Sequence, residues 1–458
     1  MSAAALVLAA GEGTRMKSHL PKVAHRILGV SMVELVVDAV RSAGVNRVVV
    51  VVGHRAEVVR GLLPGETCVL QEQQLGTGHA VMTGIRALEG LTGSLLVLSG
   101  DTPLLTPDTL RRLISAREEA GAAVALLTAH VREPGGYGRI LRDAVGAVTG
   151  IVEDRDLAPE QRDIDEVNTG TYCFDAAALA AHIHKLTPEN AQREYYLTDM
   201  IAHLRAGGLG VVAMPTEDPG ETIGVNTRVQ LAEASKVLQR RINRRHMLDG
   251  VTITDPDLAW VAPGVTLGRD VVLEPMTFLY GSTSVGDRAV IGPNSRLTNT
   301  EVGAGAVIDS AVCVSARVGE EATVGPMAYL RPGAVLGRGA KVGTYVEVKK
   351  STVGEGSKVP HLSYIGDATI GARANVGAGS ITCNFDGTRK HPTFIGEGAF
   401  IGSDTMLVAP VRVGEDAVTG AGSVITRDVP DGALGLERSE QRAIEGYTER
   451  KKHAADDD

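Results

Sequence analysis

The sequence predicts an α/β chain built from two architectures: an N-terminal doubly wound sheet, a linker helix, and a C-terminal parallel β-helix of hexapeptide repeats. Three observations predict this. Short apolar runs alternate with amphipathic stretches through the first half, a polar stretch without Gly or Pro follows at 227–247, and a period of six then takes over. At 458 residues the chain is also too long for one ordinary core.

Taken in order, "ALVLAA" (5–10), "RVVVVVG" (47–53), "SLLVLSGD" (94–101) and "AVALLTA" (123–129) read as buried parallel strands, with helices over 31–44 and 106–120 between them. Such alternation implies a doubly wound sheet with ligands at the carboxyl ends of its strands. The stretch 227–247 carries apolar residues at 229, 231, 237, 238 and 242 and reads as one long polar helix. Domains are therefore expected at 1–226 and 249–458, joined by a linker helix over 227–248.

In the second half Val261, Leu267, Leu273, Leu279, Val285, Ile291 and Leu297 stand six apart. The register slips and resumes at Val302, Ile308 and Val314, and again from Val318 to Val348. Later runs begin at Val353, Ile370 and Ile395. Neither a helix nor an ordinary strand repeats at six. A coil of triangular section does, with one flat face and one turn per hexapeptide and the aliphatic pointing to the axis. The tail 449–458, "ERKKHAADDD", has no apolar pattern and is expected to be a disordered end.

A net charge of −9 excludes a general nucleic-acid binder, which needs a basic face, yet leaves room for a small phosphorylated substrate. No segment is apolar for about 18 residues, so no membrane insertion is expected. The N-terminus lacks a basic leader region, and Cys68, Cys173, Cys313 and Cys383 show neither metal spacing nor a disulfide pattern. The expectation is a cytoplasmic protein with reduced thiols.

"LAAGEGTRMKSHLPK" (8–22) ends the first strand in a Gly loop, which lets backbone N–H groups approach phosphates and supplies Arg15 and Lys22. Alone, such a loop is equally compatible with a simple turn. Asp101, just past a buried strand, is costly there unless it pairs or binds a metal. "QEQQLGTGHA" (71–80) adds a second Gly-rich loop flanked by amides suited to a nucleobase edge.

"LAAGxGTRM…LPK", "QLGTGHA", "GD", "GYGRI" (136–140), "GIVED" (150–154), "EVNTG" (166–170), "EYYLTD" (194–199) and "GVN" (224–226) together resemble the sugar-1-phosphate nucleotidyltransferases. The closest likeness is to the bifunctional N-acetylglucosamine-1-phosphate uridylyltransferase/glucosamine-1-phosphate acetyltransferase family. The resemblance implies a Rossmann-like domain in which Leu8, Ala9, Ala10, Gly11, Gln71, Gly76 and Thr77 bind the uridine nucleotide of UTP. It assigns Gly138, Glu153 and Asn168 to the sugar, Lys22 to phosphates, and Asp101 with Asn226 to Mg²⁺. Arg15 joins Lys22 in neutralising the attacked phosphate. Ser99 and Gly100 complete the nucleotide wall, although the family often carries Tyr where Ser99 stands.

The coil is interrupted by "AYLRPGA" (328–334), "YVEVKK" (345–350), "HLSYIGDA" (361–368) and "NVGAGSITCNFDG" (375–387). One coil takes about 18 residues and coils stack about 4.8 Å apart. Arg331 and Lys349, 18 apart, therefore occupy adjacent coils on one face, with His361 and Tyr364 on the next. A His gathered with two cations is a candidate general base.

These segments resemble the acetyltransferase half of the same family, whose coils are left-handed. By that resemblance His361 is the base, Arg331 and Lys349 hold the sugar phosphate, and Tyr364, Asn375, Asn384 and Phe385 lie near the acceptor. Ala378, Ser403, Ala421 and Arg438 fall on the acetyl-CoA side. The family packs as a homotrimer, and the irregular insertion 382–394 is expected to loop toward a neighbour, carrying Lys390. A different sugar nucleotidyltransferase with a merely regulatory coil, and a binding module with dead sites, are the rival readings. The first leaves Arg331, Lys349, His361 and Tyr364 without a purpose, and the second leaves the metal carboxylate and the base without one.

Overall fold

In the computed structural model, which describes the backbone of residues 3–456, the chain forms two compact units, Met1–Arg241 and Ile242–Asp458. The division falls inside one 21-residue helix, Arg228–Leu248. Arg241 near its middle donates to the Leu104 carbonyl of the N-terminal unit at 2.7 Å. Asn243 donates to the Pro256 and Ala259 carbonyls of the C-terminal unit at 2.8 and 2.9 Å.

The N-terminal sheet runs in the order 211–215, 124–130, 166–175, 94–99, 3–9, 47–52, 67–70. Its strands bury both faces. Leu6, Val49, Val51, Leu95 and Val97 fill one core, and Ala5, Val7, Val48, Val50, Leu96 and Leu98 the other. This period-2 alternation of wholly apolar residues is what a sheet covered on both sides requires. Ala3–Ala9 pairs in parallel with Arg47–Val52 on one side and Ser94–Ser99 on the other, so the chain reverses its direction of travel across the sheet there. A crevice opens at such a switch point.

One strand departs from the expected parallel set. Glu166–Asp175 lies antiparallel between 94–99 and 124–130. Its "EVNTGTYCFD" has no long aliphatic run. It earns its central place through buried Tyr172, Cys173 and Phe174, a tertiary effect that periodicity does not reveal.

The C-terminal unit is a parallel β-helix whose three faces are sheets of eleven, ten and nine short strands. Stacked residues such as Val272↔Val290, Leu330↔Val348 and Val353↔Ile370 are 16 to 18 apart where no insertion intervenes. Nearly every predicted aliphatic is buried, but Leu267 and Val314 are only half-buried, and at Val314 the register itself differs. The inward position is taken by Cys313, stacked between Leu297 and Leu330. A hexapeptide shortened by one residue moved the register, and a buried Cys packs there as a small hydrophobe. Burial pushes its thiol up to about 12.

Two features of the repeat emerge only in three dimensions. The residue two before each aliphatic is small and buried, as Ala289, Ser295, Ala322, Ala328, Ala340, Ser351 and Ser363 show, because the coil bends sharply there. The turns also repeat a left-handed residue, including Lys350 (φ 44°), Leu362 (φ 51°) and Asp367 (φ 50°).

The tail corrects the expectation of a disordered end, since Tyr447–Asp456 is helical. Glu, Arg, Lys and Ala favour the helix by propensity alone, with no apolar face needed. Residues 457 and 458 lie outside the described residues.

Leu330→Ala, which empties a fully buried position in the coil, is expected to cost about 2–5 kcal/mol. The loss should appear in the denaturant transition of the C-terminal unit, with uridylyl transfer at native conditions unchanged.

Candidate active sites

The N-terminal site grows from the loop that follows Ala3–Ala9. Gly13 takes φ 71°, and a Cβ there would lie 2.5 Å from Lys22 Cβ, so only Gly lets the two ends of the loop close. Two short 3₁₀ turns, Thr14–Met16 and Lys22–Ala24, then present Arg15 and Lys22. Across the crevice Gly76 takes φ 105°, and its own Cβ would lie 2.7 Å from the Tyr195 carbonyl. Thr77 Oγ1 accepts from Leu197 N at 3.0 Å, which ties "QLGTGHA" to "EYYLTD".

Between these loops lies a cavity of about 370 Å³. Leu8, Ala9, Ala10, Gly11, Lys22, Gln71, Gly76, Thr77, Ser99 and Asp101 line it, as do Glu12, Gln74 and Glu194, which the sequence did not single out. Gly100 N donates to the Leu8 carbonyl at 2.9 Å and knits the two strand ends together.

At the mouth, residues from three distant segments meet. Lys22 ion-pairs with Asp101 and donates to Asn226 Oδ1 at 3.0 Å. Arg15 Nη2 reaches the same oxygen at 2.9 Å, and Val225 N donates to the Asp101 carbonyl at 2.9 Å. Among the described residues no group of three or more His, Cys, Asp or Glu could hold a metal. A hard cation would find one carboxylate and one amide oxygen here, with room for ligand oxygens, which suits Mg²⁺. The Lys22 ammonium between those two oxygens shows that the spot accepts positive charge.

Gly138, Glu153 and Asn168 form a neighbouring cluster outside that cavity's lining. Asn168 N donates to the Gly138 carbonyl at 2.8 Å, and Asn168 Nδ2 to the Tyr172 hydroxyl at 2.7 Å. Glu153 Oε1 accepts from Thr198 Oγ1 at 3.0 Å; desolvation nevertheless lifts its carboxyl above the usual range, with Asp199, Asp156 and Asp154 adding to the effect. Tyr137 stands near Gly224 and Asp101. Burial raises its phenol, a Gly224 backbone contact opposes that, and Asp101 is close enough to be felt. The signal for Tyr137 lay in "GYGRI", but its neighbour Gly138 drew the assignment.

In the coil, Arg331 and Lys349 are successive on one face, in register with Leu330↔Val348. Arg331 pairs with Glu347 at 2.8 Å and Lys349 with Asp367 at 3.1 Å. Asn384 Nδ2 donates to the same Asp367 oxygen at 2.5 Å and lies 3.5 Å from the Tyr364 hydroxyl. Desolvation alone would raise the Asp367 carboxyl, but the bonds from Lys349 and Asn384 hold it below the usual range. The nearby Lys349 drives the Lys390 ammonium down. Two lysines beside one carboxylate make a site that gains from an anion.

The insertion forms a small exposed hairpin. Phe385 bridges Lys390, and the Asp386 carboxylate caps the Thr388 and Arg389 amides at 2.7 and 2.6 Å. Those backbone bonds and His391 lower Asp386 to about 2.

His361 does not share the sheet of Arg331 and Lys349. It lies in the adjoining sheet, stacked on Thr344, and turns the corner to Tyr364 through Leu362 and Ser363. Among the described residues no hydrogen bond joins its side chain to Arg331, Lys349 or Tyr364. Ser363 Oγ donates to the His361 carbonyl at 2.8 Å, and Ser351 Oγ does the same for Lys349, so both backbones are pinned from inside the coil.

His361 also heads a row. Gly379 N donates to the His361 carbonyl, Asp404 N to that of Ala378, and Gly422 N to that of Ser403. Arg438 Nη1 reaches the Ala421 carbonyl at 3.2 Å. Lys358↔Asn375, Ile401↔Thr419 and their neighbours place 361, 378, 403 and 421 at equivalent positions of successive coils. Asn375 stands on the same sheet, three residues before Ala378.

The fold and these two sites define a nucleotidyltransferase domain followed by a hexapeptide-repeat transferase. Residues 5–164 match the MobA-like NTP transferase domain, and residues 392–427 match the bacterial transferase hexapeptide family (six repeats). The chain is 55% identical to the bifunctional protein GlmU of Thermobifida fusca over 458 residues, covering 98% of this chain and 95% of that one. It is 50% identical to that of Heliobacterium modesticaldum over 448 residues, with 98% of each chain covered. The chain belongs to the GlmU family of bifunctional proteins. It is an enzyme with both transferase activities, glucosamine-1-phosphate acetylation and uridylyl transfer to N-acetylglucosamine-1-phosphate.

Glu153→Gln keeps the bond from Thr198 and removes a carboxylate that desolvation disfavours. A raised folded pKa means the wild-type group destabilises the fold above that pKa and not below the unfolded value. The variant is therefore expected to melt higher than wild type at pH 7–8, with the gain vanishing near pH 4, as thermal unfolding across pH will show.

Proposed function

We propose that UTP binds in the crevice beside Ala3–Ala9, and that the observation carrying this reading is the convergence of Arg15, Lys22, Asp101 and Asn226 at its mouth. Leu8–Gly11, Gln71, Gly76 and Thr77 hold the nucleotide, with Ser99 and Gly100 closing its wall. Gly138, Glu153 and Asn168 hold N-acetylglucosamine-1-phosphate. Asp101 and Asn226 hold Mg²⁺, which when bound draws charge from the nucleotide's phosphate oxygens. The sugar phosphate oxygen forms a bond to the α-phosphorus as the bond to the departing pyrophosphate breaks. Arg15 and Lys22 neutralise the charge that accumulates there, an electrostatic and positional task with little covalent chemistry for the protein.

In the coil, Arg331, Lys349 and Lys390 hold the phosphate of glucosamine-1-phosphate, and Tyr364, Asn375, Asn384 and Phe385 border the sugar. His361 takes a proton from the substrate ammonium. The freed amine attacks the thioester carbonyl of acetyl-CoA, and as the C–S bond breaks the nitrogen loses its second proton to become the amide. One of the two protons passes to the departing thiolate and the other is released to solvent. The donor extends along the row through Ala378, Ser403 and Ala421 to Arg438. Burial raises the Cys383 thiol, which disfavours an acyl-enzyme route through it. The working form is a cytoplasmic homotrimer. The exposed Phe385–Lys390 hairpin reaches a neighbour, and no described helix is long and apolar enough to cross a membrane.

His361→Ala is expected to abolish CoA release while pyrophosphate release persists, and Asp101→Ala to do the converse. Parallel loss of both activities in either variant counts against separate sites. Light scattering should return three times 47.9 kDa.

A further inference from the structure

We propose that Arg228 is a positioning residue for uridylyl transfer, a clamp that fixes the cation-bearing loop 13–25 against the Asn226 segment. The proposal rests on the reading of Arg15, Lys22, Asp101 and Asn226 as the uridylyl-transfer site. Arg228 opens the helix two residues after Asn226, so its guanidinium and the Asn226 amide leave the backbone from the same turn. Arg228 Nε donates to the Met16 carbonyl at 3.3 Å, at the end of the turn that carries Arg15. Arg228 Nη1 lies 3.4 Å from His25 Nδ1, just past the turn that carries Lys22. An Arg can only donate, so this ring nitrogen accepts.

The loop is thus held at both ends by one side chain. The His25 backbone is fixed in turn, since His25 N donates to the Lys22 carbonyl at 3.2 Å and Met32 N to the His25 carbonyl at 3.0 Å. Asn226 is fixed from its own side, where Gln230 Oε1 accepts from Asn226 N at 2.9 Å and from Thr227 N at 3.1 Å. Arg15 and Lys22 converge on Asn226 Oδ1 at 2.9 and 3.0 Å because both halves of that meeting are anchored to one helix start. His25 is buried, with 4% of its surface exposed, and touches no proposed substrate group. Its part is to receive the clamp.

The test measures both activities of the full-length enzyme. Arg228→Ala is expected to lower kcat for pyrophosphate release about tenfold to a hundredfold, the scale of a small misplacement of catalytic groups. The KM for UTP should stay within a few-fold, because Gln71, Gly76 and Thr77 are untouched, and acetyl transfer should be unchanged. His25→Gln retains an acceptor for Arg228 and should keep most of the activity, whereas His25→Leu should match Arg228→Ala. Mn²⁺ binding to the UTP-loaded protein, followed by electron paramagnetic resonance, should weaken in Arg228→Ala and His25→Leu but not in His25→Gln. Wild-type kcat in Arg228→Ala, or equal loss in His25→Gln and His25→Leu, overturns the clamp. Asp101→Ala in the same assay tests the underlying reading separately: if it retains activity, the site assignment fails, and if only Arg228→Ala does, the clamp alone fails.

Discussion

Parallel, in-register strand pairing is the constraint on which both units depend. In the N-terminal sheet it points the carboxyl ends of Ala3–Ala9, Arg47–Val52 and Ser94–Ser99 the same way, so the loops that follow them meet at one edge. In the coil it sets each residue above its equivalent in the previous turn, so a group introduced once per coil becomes a row. Neither site could assemble if a strand slipped by one residue, because every side chain would then change faces. The small residue two before each aliphatic protects that register at the corners, and the hydroxyls of Ser351 and Ser363 fix the carbonyls of Lys349 and His361 there.

Electrostatics at the two sites follows one plan despite unrelated folds. Each sets cations beside carboxylates, Lys22 on Asp101 in one, Arg331 on Glu347 and Lys349 on Asp367 in the other. The carboxylates keep these cations ordered on a chain whose overall charge is −9. In the coil this goes furthest, with the charge of Lys349 felt at Lys390. Such an arrangement costs stability in isolation and gains from a bound anion, a trade between folding and recognition that is common at functional sites.

Much of the site was legible because it sits at motif ends. Gly13 and Gly76 announce backbone positions that a side chain would close, and Asp101 stands out as a carboxylate beside a buried strand. Residues that act through other residues gave no such signal. Arg228 reads as one more charge on a polar helix, and His25 carries no motif, until the fold brings the Met16 carbonyl and the His25 ring to the same guanidinium. The antiparallel strand Glu166–Asp175 and the inward Cys313 escaped for a similar reason, since each is decided by neighbours distant in sequence.

The sequence by itself determined the two architectures, the long helix between them and the residue types at both sites, because periodicity, glycine placement and charge are local properties of the chain. The tertiary structure alone decided that His361 lies around a corner from Lys349 and heads a row with Ala378, Ser403 and Ala421. It also decided that Asn226 receives both Arg15 and Lys22. Those are distances between segments, fixed by sheet order and by the shortened and lengthened repeats that shift the coil's register, and no local pattern encodes them.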